Sequence, residues 1–349
     1  MIKNKLLVLI LSITFSCNSK HSKKEIAMEI VYPEKEWLSG EIKYKTRLKY
    51  RVDSLRSKLE ENYSLLIIKD GYVIYEMYNS PYLKDSLIHT NSVTKSVVSM
   101  LFGIIFKDSL VESENQFSLS YFPEFNIKDS AICKIKNKHF LSMSSGLDWK
   151  GGVDAIDVLA MSQSENWAKY VFERKIVNRP NENYLYNSGG TQVISSILHK
   201  QVSYDLEKFA ADSLFAPLGI QNYQWEKTIN GVPKAGWGLH LKMADMARLG
   251  YLMLRGGVWK DKQIIPAYWV NKSTTSQINI NDTWDYGYQF WLPKNSEFKS
   301  FMFRGYYPPS YKIIEVIPEL DIVAVYVGDN KKFKEIIESH VKIIEDAIK

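Results

Sequence analysis

Only two cysteines, Cys17 and Cys133, stand in 349 residues. That excludes a disulfide framework and any metal site built on cysteines. Beyond the first residues there is no apolar run long enough to span a bilayer. Charge of one sign is also scarce. The net charge of +6 is thinly spread, with no long basic block in the globular part, so no nucleic acid partner is expected. No internal repeat is present. What remains is an ordinary globular composition, 45% hydrophobic and 13% aromatic, enough for one large domain or two small ones.

Residues 1–17 read as a targeting segment. Met1-Ile2-Lys3-Asn4-Lys5 is basic, and Leu6 to Phe15 is a short apolar core, too short to be a stable span. It ends in Thr14-Phe15-Ser16-Cys17, which resembles a bacterial lipobox, with Phe15 an unusual residue there. The resemblance implies lipidation of Cys17 and a cell-envelope location on the outer side of a membrane; plain secretion is the alternative. With Cys17 lipidated, Cys133 has no partner. It lies in the alternation Ile132-Cys133-Lys134-Ile135 and is expected as a small semi-buried hydrophobe.

Residues 18–45 are polar and aperiodic and are expected to be a tether; 46–349 are expected to form the globular domain. Leu48, Val52, Leu55 and Leu59 give residues 46–62 an amphipathic helix pattern. The Asp70-Gly71 pair between apolar runs at 64–69 and 72–76 is a hairpin signal. A mostly helical stretch follows, and strands are expected at 286–292, 300–306, 312–317 and 322–327 before a final helix at 331–348. Strands at both ends of the chain predict one sheet with a helical lobe, roughly 107–280, inserted in it. The cleft between them is the expected pocket.

At the head of the apolar run 97–106 stands Ser92-Val93-Thr94-Lys95. Three residues apart on a helix, Ser92 and Lys95 share a face. A serine needs a base to become a nucleophile, and a lysine in a dry pocket loses its charge readily enough to be that base. Ser92 also lies where helix N-terminal N–H groups can hold an oxyanion. Four residues alone do not separate this from a chance pattern with a solvated lysine.

Three features stand together: Ser92-x-x-Lys95, Tyr186 in Tyr186-Asn187-Ser188, and Arg304-Gly305 on a late strand. Their order and spacing resemble the serine beta-lactamase and penicillin-binding protein superfamily, nearest the esterases and the 6-aminohexanoate-dimer hydrolase. Phe140-Leu141-Ser142-Met143-Ser144-Ser145-Gly146-Leu147 resembles that branch's "LLxMxSGL" segment, and Gly238-Leu239-His240 with Asp245-Met246-Ala247-Arg248-Leu249-Gly250 its "GGLxxxxxDMARxG" segment. The resemblance covers roughly 60–330. It implies an α/β fold of beta-lactamase/transpeptidase type, with a central antiparallel sheet flanked by helices.

It further implies Ser92 as nucleophile, Lys95 as base, Tyr186 in the proton relay, and the backbone N–H groups of Ser92 and Tyr306 as an oxyanion hole. No metal or organic cofactor is implied, and the partner is a small ester or amide. A cation near Tyr186 is expected to lower its pKa. Ser188 or Asn187 can bind substrate or simply shape a turn; His240 can line the site or be structural.

The chain departs from the family pattern at the third motif. Phe303-Arg304-Gly305 has no Lys or His at its head, which weakens recognition of a carboxylate unless Arg304 points inward. The final Asn of the tyrosine triplet is Ser188. Tyr307-Pro308-Pro309-Ser310 predicts a bulky rim. No counterpart stands for the extra glutamate that some beta-lactamases use in deacylation. Two rival readings remain: a penicillin-binding D-Ala-D-Ala peptidase or beta-lactamase, and a non-catalytic binding lipoprotein of the envelope.

Overall fold

The computed structural model describes residues 30–39, 63–107, 111–151, 155–202, 204–329 and 332–348. The expected leader, Cys17 and the helix at 46–62 lie outside them. Strands from both ends of the chain meet in one sheet. From the first part come Leu38–Ser39 (β1), Tyr63–Lys69 (β2) and Tyr72–Met77 (β3). From the last come Ile278–Asn279 (β9), Trp284–Tyr286 (β10), Trp291–Pro293 (β11), Phe301–Tyr307 (β12), Ser310–Ile317 (β13) and Ile322–Gly328 (β14). The nine strands run in the order β1-β3-β2-β14-β13-β12-β11-β10-β9. The junction is β2 against β14, antiparallel, with Ile67 opposite Ala324.

The central strands are apolar on both faces because both faces are covered. Leu66 and Ile68 of β2 belong to one core; Leu65 and Ile67 belong to the other. The first core lies under Val93–Lys107 (α1) and Met243–Leu254 (α7). The second is closed by Phe333–Ile348 (α9), through Phe333, Ile336, Ile337 and Val341. Between β3 and β9 sits the expected lobe. It carries Asn137–Leu141 (α2), Ile156–Gln163 (α3), Trp167–Phe172 (α4), Ser188–Gln201 (α5), Leu206–Ala210 (α6) and Ala267–Ser273 (α8). A three-stranded sheet, Ile88–His89 (β4), Leu239–Leu241 (β6) and Gln224–Trp225 (β5), joins the lobe to α1. No helix among the described residues is long and apolar enough to cross a membrane.

The central sheet is antiparallel as expected, with β1 added in parallel at the β3 edge. Three expectations need correction. Residues 31–39 of the expected tether pack against the domain. Val31 O accepts from Tyr251 Oη at 2.9 Å, Trp37 Nε1 donates to Ala244 O at 3.0 Å, and Arg248 donates to Lys35 O at 2.6 Å; an aromatic pair, Tyr32 and Trp37, gives this polar stretch something to bury. The expected strand at 286–292 is two strands, β10 and β11, paired antiparallel across a reversal in which Gln289 has φ 71°. Cys133 is an exposed free thiol, since the short helical turn Ile132–Lys134 presents Ile132, not Cys133, to the core.

Helix α1 is buried from Val93 to Ile105. It packs so closely on α8 that a Cβ at Gly103 would lie 2.2 Å from the Trp269 ring. That ring cannot retreat: it is fully buried and its Nε1 donates to Ser99 O at 2.8 Å. Gly→Ala in a helix ordinarily gains up to about 1 kcal/mol. Here Gly103→Ala is expected to destabilise by about 1–3 kcal/mol through overpacking, read as a lower melting temperature.

Candidate active site

Ser92 stands one residue ahead of α1, where the chain turns sharply out of β4. Asn91 takes a left-handed φ of 51°, and Thr90 ties the turn to β6 through its N–H and its hydroxyl, both donating to Leu239 O at 2.8 and 2.7 Å. Lys95 then sits one turn into α1 with its side chain folded back toward Ser92. It is 1% exposed. Its Nζ lies 2.9 Å from Ser92 Oγ and donates to Gly236 O at 2.6 Å. Ser92 Oγ reaches the same carbonyl at 3.3 Å. Among the described residues no carboxylate pairs with Lys95. Burial alone pushes its pKa down to about 7, because the dry surroundings penalise the ammonium and nothing offsets them.

Tyr186 precedes α5. Its ring lies under Lys95 Nζ, 4.9 Å from the centroid, and packs against Trp291 at 6.0 Å. The expected lowering of its pKa is not what the structure gives. Burial dominates and pushes the phenol up to about 12; contact with the Ser92 hydroxyl and the field of Arg304 pull only partly back. A lysine that is itself easily neutralised is a weak source of field. Tyr186 is therefore a proton donor at neutral pH.

The tyrosine is positioned by the Phe140–Leu147 segment. Met143 takes a left-handed φ of 58°, its O accepts from Leu185 N at 2.8 Å, and its Sδ from Asn187 N at 3.2 Å. Of the two readings left open for Asn187, the structure supports the turn. It caps α5, with Oδ1 accepting from Gly190 N at 3.0 Å. Ser188 begins α5 and faces Gly236, where a Cβ would lie 3.1 Å from Ser188 Cβ.

The third motif runs beside Ser92. A Cβ at Gly305 would fall 2.3 Å from Thr90 O and 3.1 Å from Ser92 N. Only glycine permits that approach, which brings the strand leading into Tyr306 against the Ser92 amide. Arg304 does not point inward. Side chains alternate along a strand: Phe301 and Phe303 face the α1 core, and Met302 faces the α9 core. Arg304 follows Met302 and sits among the rings of Trp284, Trp291, Tyr311 and Phe333, 4.9–6.0 Å from their centroids. Phe303, at the place of the family's cation, is fully buried. Of the residues expected at the rim, Tyr307 is 73% exposed, whereas Tyr306 turns to the Arg304 face and stacks on Tyr311 at 4.4 Å.

Three contributors escaped the sequence. Gly236 supplies the carbonyl that gathers Ser92 and Lys95; the Gly236-Trp237-Gly238 cluster was its only trace. Gln289, 1% exposed, hangs from the β10–β11 reversal. Its Nε2 donates to Phe140 O and Leu141 O at 3.0 and 2.9 Å, its Oε1 accepts from Thr191 at 3.0 Å, and its backbone O accepts from Ser96 at 2.6 Å. It so pins α1, α2 and α5 together behind the site. His240 does not stand alone: His89 lies opposite it, β4 against β6, with ring centroids 4.7 Å apart.

Solved structures share this arrangement of sheet and lobe. A 6-aminohexanoate-dimer hydrolase candidate from Bacillus anthracis superposes with a TM-score of 0.70 at 16% identity, covering 84% of this chain and 81% of that one. An octameric penicillin-binding protein homologue from Pyrococcus abyssi gives 0.68 at 19%, covering 86% and 77%. A family VIII carboxylesterase gives 0.68 at 12%, covering 88% and 98%. At such identities the likeness is one of fold. No curated protein matches in sequence. The Beta-lactamase family model matches residues 56–333, a span that contains Ser92, Lys95, Tyr186 and Gly305, and the chain belongs to that family.

Proposed function

We propose that the protein is a serine hydrolase that cleaves a small ester or amide through an acyl-enzyme on Ser92. The observation that carries this reading is a buried amine with no carboxylate partner among the described residues, 2.9 Å from the Ser92 hydroxyl and half neutral near pH 7. A binding protein has no use for so costly a group. In this reading neutral Lys95 takes the Ser92 proton as Oγ attacks the carbonyl carbon. The N–H groups of Ser92 and Tyr306 hold the oxyanion. Tyr186 gives its proton to the leaving oxygen or nitrogen as that bond breaks, and recovers it from Lys95. Water then enters with the same groups acting in reverse.

The ester and amide reading is favoured over a penicillin-binding peptidase or beta-lactamase by the third motif. Phe303 occupies the place of the family's cation, and the Arg304 guanidinium lies on the other face of the sheet. The basic and apolar residues 1–17 and Cys17 support an envelope location and a lipid anchor as part of the same proposal.

Ser92→Ala is expected to abolish labelling by a fluorophosphonate probe, and undiminished labelling of that variant overturns the assignment. The pH dependence follows from the two side chains. Lys95 works only when neutral, so kcat/KM for a neutral ester is expected to rise about tenfold per pH unit and level off above about pH 7. Tyr186 keeps its proton to about 12, so no descending limb is expected below about pH 10.

Lys95 also sets a stability slope. Folded, it gives up its proton near 7; unfolded, near 10.5. The unfolded chain binds more protons between those values, so this residue makes stability rise with pH across that window. Lys95→Met is expected to eliminate turnover and to flatten that part of the rise, measured by thermal melts at about pH 6 and about pH 9.

A further inference from the structure

We propose that His89, Glu226 and His240 form a binding site for a zinc-type divalent cation beside the nucleophile. The three residues come from the three strands of the small sheet or its edge. His89 ends β4, His240 is central in β6, and Glu226 follows β5, its N–H donating to Gly238 O at 3.0 Å. One ligand atom of each lies within 4.8 Å of the others. His89 Nε2 and Glu226 Oε1 are 3.7 Å apart. Bonds of about 2.0–2.1 Å in a tetrahedral zinc site set ligand atoms roughly 3.4 Å apart. Small side-chain rotations close the remaining gap.

The surroundings are those of metal-ligating histidines, whose second ring nitrogen is held by an oxygen. His240 Nδ1 lies 3.2 Å from Gly238 O, and His89 Nδ1 lies 2.6 Å from Asn91 Oδ1. Donation from both Nδ1 atoms leaves each Nε2 with a lone pair free for an ion. The Asn91 N–H also faces His89 Nδ1, at 3.2 Å, so the ring has two tautomers open to it and a bound ion selects the one with Nδ1 protonated. Lys234 Nζ holds Glu226 Oε2 at 2.7 Å, which leaves Oε1 as the free oxygen. The side chains of His89 and Glu226 are 34% and 40% exposed, so an ion can enter.

Two imidazoles and one carboxylate match zinc and its neighbours, whereas calcium and magnesium take oxygen. Three protein ligands leave a fourth position for water or a donor atom of a substrate. The ion bolts β4, which leads into Ser92, to β6, which follows Gly236. It would fix the nucleophile's turn and the carbonyl that holds Lys95 in one piece.

The test uses the full chain purified without a polyhistidine tag. It is titrated with Zn2+ by calorimetry and with Co2+ by visible absorption. One equivalent of Zn2+ is expected, with the intense visible bands of four-coordinate Co2+. His89→Ala and His240→Ala should each weaken binding by at least about tenfold, a size met even when outer partners of a ligand are lost. His199→Ala should bind as wild type does. Melts without metal establish that each variant is folded, and Glu226→Gln provides a further variant of nearly the same shape. No stoichiometric binding by wild type, or a loss in only one of the two histidine variants, overturns the site.

Discussion

A buried ammonium without a counter-charge is the constraint on which the rest depends. Moving Lys95 out of water costs several kcal/mol even after relaxation, and a carboxylate beside it would repay much of that. It would also keep the lysine charged and useless as a base. The fold instead offers neutral polar partners: one hydroxyl, one carbonyl and the face of one ring. These stabilise the ammonium enough to be tolerated and too little to fix the proton. The depressed pKa is thus a property of what is missing around Nζ.

Keeping that arrangement dry and in register needs the surrounding architecture. Helix α1 is enclosed along most of its length, so its first turn cannot be adjusted by fraying. Gly305 brings β12 against Ser92. Gln289 ties α1 to two lobe helices by its side chain and backbone. The contacts of the Asp245-Met246-Ala247-Arg248-Leu249-Gly250 segment are contacts of packing. Arg248 pairs with Asp245 and grips Lys35 O, while Gly250 lets α7 lie directly on Ile314 and Val323. It is packing that holds the N-terminal segment and the sheet to one another.

Much of this was legible in the sequence because it is local. The Ser92–Lys95 spacing, the Asp70-Gly71 hairpin and the short apolar runs of the last strands each fit within a few residues. The junction of β2 with β14 followed from having strands at both ends. What was missed depends on distant partners. Residues 31–39 look polar and unstructured until Tyr251, Ala244 and Arg248 are placed beside them. The run at 286–292 reads as one strand because its reversal turns on Gln289, a residue whose left-handed backbone is held by contacts far away in sequence. Tyr186 was misjudged because proximity to a cation is visible in a motif and burial is not. His89, Glu226 and His240 belong to three separate stretches, and only the small sheet makes them neighbours.

Arg304 shows a limit of motif reading and also its remedy. Adjacent residues of a strand face opposite ways, so once Gly305 must approach Ser92, Arg304 is committed to the far face by parity alone. A lysine does stand on the near face, Lys312, directly across from Gly305. It is buried, its pKa is pushed down to about 8 by that burial, and its ammonium lies over the Tyr82 ring at 5.7 Å in the field of Asp329. Burial makes it a readily neutralised cation, and its field also reaches His89. Parity also sends Tyr306 to the Arg304 face, where its ring stacks on Tyr311 at 4.4 Å, while the Gly236–Gly238 loop lies on the Ser92 side. The loss of the motif's cation at Phe303 is the physical reason the proposal favours a neutral ester or amide over a peptide ending in a free carboxylate.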